Sequence, residues 1–160
     1  LLEAGADKIA INSSSFNNDL FIKNLSKTFG KQCIVCSVDY RIIDKQIILF
    51  SNSGTIKKKI DLLDHVKKIE ELGAGEIILT SIDLDGTMKG YDLETLSEVS
   101  NSVDIPVIAS GGAGKLKDFS DVINNTNVSA LAAASIFHFT NITPRDVKIY
   151  LDSENIPVRI

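Results

Sequence analysis

The sequence contains no apolar run approaching the ~20 residues that a membrane-spanning helix needs. It has no surplus of positive charge either, since 17 basic residues stand against 21 acidic ones. Nothing therefore favours nucleic acid or a membrane surface as a partner. No basic segment followed by an apolar stretch, as in a secretory signal, is visible. With 160 residues, 44% of them hydrophobic, we expect one cytoplasmic domain over residues 1–160.

Cysteine is scarce as well, with only Cys33 and Cys36 in the chain. Their Cys-x-x-Cys spacing is that of a redox or metal-binding pair. They lie in a strand-like segment, however, where residues three apart point to opposite faces, and a second pair of metal ligands is absent. We expect small buried side chains here, in a reducing compartment, and no metal or cofactor.

What the chain does have is a regular alternation of short apolar runs with amphipathic helical patterns. Because the apolar runs are nearly continuous, they predict a parallel sheet buried on both faces. A small hairpin is predicted over residues 41–54, turning at Asp44 and Lys45. The predicted strands are 8–12, 33–39, 76–83, 105–110 and 129–136, and the predicted helices are 19–30, 61–73, 92–103, 115–125 and 144–154.

Polar residues follow the predicted strands at their carboxyl ends. Both a doubly wound sheet and a (β/α)8 barrel fit the alternation, but only a barrel gathers every strand end around one mouth. The pattern therefore favours an α/β protein of the (β/α)8 barrel type. The strand-end residues are Asn12, Asp39, Thr80, Ser81, Asp83, Ser110, Gly111 and Ser135.

Two of these strand ends are typical of phosphate binding. The run Ile105–Ala109 stops at Ser110, Gly111, Gly112, Ala113 and Gly114, where glycine lets backbone N–H groups converge on an anion. The next strand ends similarly at Ala134 and Ser135. Adjacent strand ends of this kind form the phosphate site of many barrels.

Several longer blocks give these features a context: GADKIAINSSSF, QCIVCSVD, GAGEIILTSIDLDGTMKGYDLE, IPVIASGGAGKLKDF and LAAASIFHF. Together they resemble the cyclase subunits of imidazole glycerol phosphate synthase, ammonia-using barrels of histidine biosynthesis. The resemblance implies a lyase that closes the imidazole ring on a bisphosphorylated ribulosyl intermediate. It also implies a glutaminase partner that supplies the ammonia.

The resemblance implies that residues 1–160 are the C-terminal portion of the barrel, covering its fourth to eighth strands. Leu1–Gly5 is typical of a last helical turn closed by glycine, so we expect the first three βα units to precede it. The 160 residues alone are then expected to be inactive. Their uncovered sheet edges are expected to pair with another chain.

Three residues are implied to take part in the reaction. Asp39 is the candidate general acid or base, Asp85 is implicated in the same chemistry, and Asn12 positions substrate or ammonia. Asp85-Gly86 is also a common turn signal, and Asp83 is expected to orient that loop. The implied phosphate-binding residues are Gly86, Ser110, Gly111, Gly112, Gly114, Ala134 and Ser135.

At the opposite ends of the strands, the resemblance implies a gate for ammonia. Lys8 and Glu76 would belong to a charged ring, while Asp7 and Gln32 would face the glutaminase. Of the two histidines, His138 is expected to be packed behind the site, and His65 is expected on the surface.

One segment departs from the family pattern, because Lys57, Lys58 and Lys59 follow the predicted hairpin. A lysine triplet is usually solvated, although it can also meet a phosphate. This departure leaves open a paralogue that delivers ammonia to another substrate, as in surface-sugar amidation. A non-catalytic fragment that associates through its sheet edges is a further alternative.

Overall fold

A computed structural model of the chain describes residues 1–159. Five parallel strands form the centre of one sheet, and they lie side by side in the order in which they occur along the chain. A doubly wound sheet would reverse this order at a switch point. These strands are β1 (Ile9–Ile11), β2 (Ile34–Ile43), β5 (Glu76–Ser81), β6 (Val107–Ser110) and β7 (Ala130–Ala132).

Two antiparallel strands extend β2 beyond the parallel part of the sheet, namely β3 (Gln46–Ser51) and β4 (Ile56–Lys58). The predicted hairpin turn is confirmed. Asp44 and Lys45 both have positive φ, as the two central residues of a type I′ turn require. The prediction that β2 ends at Asp39 is wrong. β3 takes over from β1 along the same edge of β2, so the strand continues to Ile43.

The helices are α1 (Ser13–Asn17), α2 (Asp19–Phe29), α3 (Leu62–Glu71), α4 (Leu93–Ser100), α5 (Leu116–Asn125), α6 (Ser135–Phe139) and α7 (Pro144–Ser153). Several predicted helix signals are confirmed. Asp92 caps α4 by accepting a hydrogen bond from the Thr95 N–H, and Gly30 ends α2 with positive φ. Thr143 caps α7 just before Pro144, which suits a first helical position.

Two short helices, α1 and α6, were not predicted. Helix α6 replaces the end of the predicted strand 129–136, because the carbonyl of Ala134 accepts hydrogen bonds from the N–H groups of Phe137 and His138. Ser135 is therefore the first residue of a helix rather than the last of a strand. Its N–H group belongs to a helix start, where backbone donors lack intrahelical acceptors.

The core lies between the sheet and the helices packed against it, and fully buried aliphatic side chains from β2, β5 and α3 are at its centre. β1 and β7 are the edge strands of the parallel part of the sheet, and each pairs with a single strand within residues 1–159. Among the described helices, none is long and apolar enough to cross a membrane.

Candidate functional site

A cavity of about 230 Å³ lies at the carboxyl ends of β5, β6 and β7. Two backbone turns form most of it, one after β6 and one between β7 and α6. The N–H groups of Gly112, Ala113 and Ser135 have no hydrogen-bond acceptor within residues 1–159. The lining residues are Asp85, Gly86, Ser110, Gly111, Gly112, Ala113, Ala132, Ala133, Ala134 and Ser135. The structure thus brings together every predicted phosphate-binding residue except Gly114.

The turn after β6 can exist only because two of its residues lack side chains. Gly111 and Gly112 have φ of 93° and 112°, which L residues rarely adopt. A Cβ atom on Gly112 would lie 2.0 Å from the carbonyl oxygen of Gly90, and one on Gly111 would lie 2.7 Å from that of Ser81. The N–H of Gly90 also donates to the Gly112 carbonyl at 2.8 Å. The turn is therefore packed directly on the loop after β5.

Gly114 has a different role from the one predicted. Its N–H donates to the Asp118 carboxylate at 2.9 Å, and the Lys115 N–H donates to the same oxygen at 3.0 Å. Asp118 is buried and belongs to the first turn of α5. The Gly114 N–H is thus occupied by a protein carboxylate, which fixes the start of the helix behind the turn.

Tyr91 contacts the end of β7, and the preceding residue, Gly90, is hydrogen-bonded to the turn after β6. The Tyr91 hydroxyl donates to the carbonyl oxygen of Ala132 at 3.0 Å, and its ring packs edge-on against Phe119. Burial raises the pKa of the Tyr91 phenol, and the nearby Asp118 carboxylate raises it further. The phenol therefore stays protonated and remains a donor to the β7 strand end.

Two carboxylates lie near this cavity. Asp85 lines it and is exposed. Asp39 is half-buried on β2, and its side chain accepts a hydrogen bond from the Ser37 hydroxyl at 2.9 Å. Burial raises the pKa of Asp39 and the negative charge of Asp85 raises it further, whereas the Ser37 hydrogen bond lowers it. An elevated pKa brings a carboxyl group closer to the range useful for acid–base catalysis.

Asn12 and Asp83 hold neighbouring segments of backbone. The Asn12 amide donates to the carbonyl oxygens of Ser37 and Phe50, at 3.1 and 3.3 Å, and so connects the end of β1 to β2 and β3. Asp83 accepts a hydrogen bond from the Ile42 N–H at 3.1 Å. The expectation that Asp83 orients its loop is consistent with this contact, which fastens the loop after β5 to β2.

The amino ends of the strands carry the predicted gate residues. Lys8 and Glu76 form an ion pair between the residue preceding β1 and the first residue of β5. Asp7 and Gln32 are exposed at the same end of the sheet. All four therefore lie on the side opposite the strand-end cavity.

Both histidine predictions are wrong. His65 is 1% exposed, because the apolar stripe of α3 turns it toward the helices that follow β1. His138 is exposed on α6, next to the exposed ring of Phe139. The expectation of two buried cysteines holds for Cys36, where burial raises the thiol pKa to about 12, whereas Cys33 is half-buried.

A family model described as "Histidine biosynthesis protein" matches residues 1–143. The chain belongs to this family. The matched residues include both turns of the strand-end cavity, so the cavity lies within the part of the chain that this family shares.

Curated relatives within the histidine biosynthesis family are named "Imidazole glycerol phosphate synthase subunit HisF". The protein from Clostridium botulinum (strain Kyoto / Type A2) is 48% identical over 162 residues, covering 100% of this chain and 64% of the relative. Those from Hydrogenobaculum sp. and Saccharolobus solfataricus are 46% and 45% identical, covering 100% and 99% of this chain. The chain thus spans 63–64% of the length of these relatives.

In this member of the histidine biosynthesis family, sequence reasoning missed Tyr91 and Asp118. Asp118 holds the end of the turn after β6 and Tyr91 holds the end of β7, and neither residue lines the cavity. The available signals were the aromatic residue directly after Gly90 and an acidic residue three positions after Lys115, where it can form a capping box. Neither signal by itself indicates a phosphate-binding turn.

Proposed function

We propose that this chain carries the catalytic face of a cytoplasmic cyclase of the imidazole glycerol phosphate synthase type. The reaction uses ammonia to convert a bisphosphorylated ribulosyl-aminoimidazole-carboxamide intermediate into imidazole glycerol phosphate and an aminoimidazole carboxamide ribotide. The observation that carries this proposal is the strand-end cavity, where free N–H groups from two adjacent turns face the space beside Asp85. The names of the relatives support the choice of reaction.

The proposed architecture is a (β/α)8 barrel in which β1, β2, β5, β6 and β7 are five consecutive strands. Their parallel pairing in chain order supports this arrangement, as does the family to which the chain belongs. In a barrel the carboxyl ends of the strands surround one mouth. Asn12, Asp39 and Asp85 would then face the same substrate as the two turns.

One phosphate of the substrate would occupy the strand-end cavity. Backbone N–H groups at a helix start and in a glycine turn suit a phosphate because they are donors whose positions are fixed by the fold. Gly112 and Ala113 supply donors from one side and Ser135 from the other. Tyr91 keeps the two sides at a constant separation.

The reacting part of the substrate would lie between Asp39 and Asp85. Two carboxyl groups whose charges repel each other favour a state with one proton between them. Asp39, the more buried of the two, would exchange protons with the substrate, and Asp85 would act on the opposite side. Asn12 holds the backbone beneath this space in position.

Ammonia would enter from the opposite side of the sheet, from a glutaminase bound at the amino ends of the strands. Asp7 and Gln32 are exposed there and would contact this partner. The ion pair of Lys8 with Glu76 would close the entry until the partner rearranges it. An apolar passage suits neutral ammonia, because burial disfavours the charged ammonium form.

The test uses the full-length protein with ammonium salts as the nitrogen source, which removes any need for the partner. Asp39→Asn should lower kcat at least ~100-fold, since general acid–base catalysis contributes 10²–10⁴, while circular dichroism shows an intact fold. Ser14→Ala, a substitution in α1 at a residue that does not line the strand-end cavity, serves as the control. An unchanged kcat in Asp39→Asn would remove this residue from the mechanism.

A further inference from the structure

A second cavity, of about 190 Å³, lies between α1, the end of β4 and α3. It shares no lining residue with the strand-end cavity. Three lysines surround it, and none of its lining residues is acidic. The residues that matter for its chemistry are Ser15, Phe16, Lys58, Lys59, His65 and Lys68.

The buried pair of Ser15 and His65 fixes the tautomer of the histidine. The Ser15 hydroxyl donates its single proton to the Asn12 carbonyl oxygen at 2.6 Å. Its contact of 3.4 Å with His65 Nε2 must therefore have the imidazole as donor. The proton of the neutral ring is thus on Nε2, and Nδ1 is an acceptor with no hydrogen-bond partner within residues 1–159. Both side chains are 1% exposed.

Positive charge predominates around this imidazole. The Lys58 ammonium donates to the Asn17 amide oxygen at 3.2 Å and lies 5.3 Å from the centre of the Phe16 ring, so its only polar partner is neutral. Lys68 pairs with Asp19 at 2.8 Å. Lys59 has no side-chain partner in the part of the chain that the structure describes.

We propose that this cavity binds a phosphate group, either as inorganic phosphate or as a small phosphate monoester. The oxygens of a singly protonated phosphate would accept hydrogen bonds from the lysines, which form strong charge-assisted bonds. Its remaining O–H would donate to the free Nδ1 of His65. One ligand thus supplies a partner for the Nδ1 acceptor and for the surrounding donors together.

The same geometry links phosphate binding to the protonation of His65. Burial and the charge of Lys68 lower the pKa of His65 to about 4, while Asp19 acts in the opposite direction. The charged groups facing the ring are Lys58 and Lys59 from the β4 side, Lys68 on its own helix, and Asp19 from α2. A bound anion offsets the lysines, so it must raise the pKa of His65.

Residues 1–160 contain two histidines. In the full-length protein their NMR ring signals are assigned by their loss in His65→Gln and His138→Gln, so each cavity is followed separately. His65 lines the cavity proposed here, and His138 lies on α6, whose first turn borders the strand-end cavity. The protein is titrated with inorganic phosphate and, in a second series, with glycerol phosphate, both at constant ionic strength. We expect saturable shifts of the His65 ring signals and a raised His65 pKa, and the tighter ligand identifies the source of the phosphate.

Lys59→Gln and Lys57→Gln form a matched pair, because both side chains are exposed but only Lys59 lines the cavity. Lys59→Gln should weaken the affinity for phosphate, measured from the His65 signals, by about fivefold. This is the upper range for the contribution of an exposed charge. Lys57→Gln should leave the affinity unchanged. His65 signals that do not respond to either ligand would overturn the proposal, and so would equal weakening by the two variants.

Discussion

Replacing Gly112 with alanine tests whether the turn after β6 is shaped to hold a phosphate. The new Cβ would lie 2.0 Å from the Gly90 carbonyl oxygen, at a residue whose φ is 112°. A side chain in a left-handed conformation costs about 1–2 kcal/mol. Separating the two segments also loses the hydrogen bond from the Gly90 N–H to the Gly112 carbonyl, worth a net 0.5–1.5 kcal/mol.

Together these two costs amount to about 1.5–3.5 kcal/mol. If displacement of the turn takes up this strain, the phosphate loses donors that were in place before it bound. Since about 1.4 kcal/mol corresponds to a factor of ten in affinity, Gly112→Ala should weaken phosphate binding about 10- to 300-fold. The assay follows the amide signals of Ala113 and Ser135 in the full-length protein by NMR during titration with inorganic phosphate, so that only this cavity is observed.

Gly5→Ala is the matched control. Gly5 has a similar φ of 102°, but no atom lies within 4 Å of the position of its Cβ. This variant should lose stability in urea unfolding through the backbone effect alone and should bind phosphate like the wild type. Equal phosphate affinities for Gly112→Ala and the wild type would refute the argument that the shape of this turn determines binding.

Three further predictions follow from the structure. Ser37→Ala removes the hydrogen bond that favours ionised Asp39, so the acidic limb of the kcat/KM profile should move to higher pH; a shift to lower pH would contradict this. Tyr91→Phe should raise KM several-fold with little change in kcat, since it loosens the two turns, whereas an equal loss in kcat would place Tyr91 nearer the chemistry. The 160-residue chain by itself should dimerise or aggregate at micromolar concentration, because β1 and β7 each pair on one side; sedimentation of a stable monomer would contradict this.

Sequence patterns predicted the parallel strands, most helices and the two glycine-rich or small-residue turns, because these depend on local periodicity and on the backbone freedom of glycine. They failed where pairing between distant segments decided the outcome. β2 continues past Asp39 because β3 pairs with it, which no local pattern around Asp39 indicates. Likewise, Ser135 begins a helix because Ala134 accepts hydrogen bonds from the residues that follow.

The candidate site was predicted less completely than the fold. Most residues lining the strand-end cavity could be predicted, because the carboxyl ends of parallel strands meet at one side of the sheet and because the sequence blocks resemble a known family. Gly114 looked equivalent to Gly111 and Gly112 in sequence, yet its N–H is taken by Asp118, a contact that depends on how α5 begins. The burial of His65 was missed because its helix packs against α1, an element that the sequence pattern did not predict.

The most direct test of the proposed function is a crystal structure of the protein with a phosphorylated analogue of the ribulosyl intermediate. We predict one phosphate in the strand-end cavity, bound by the N–H groups of Gly112, Ala113 and Ser135, with the reacting end of the analogue between Asp39 and Asp85. An analogue bound elsewhere while this cavity holds no phosphate would contradict the proposed function.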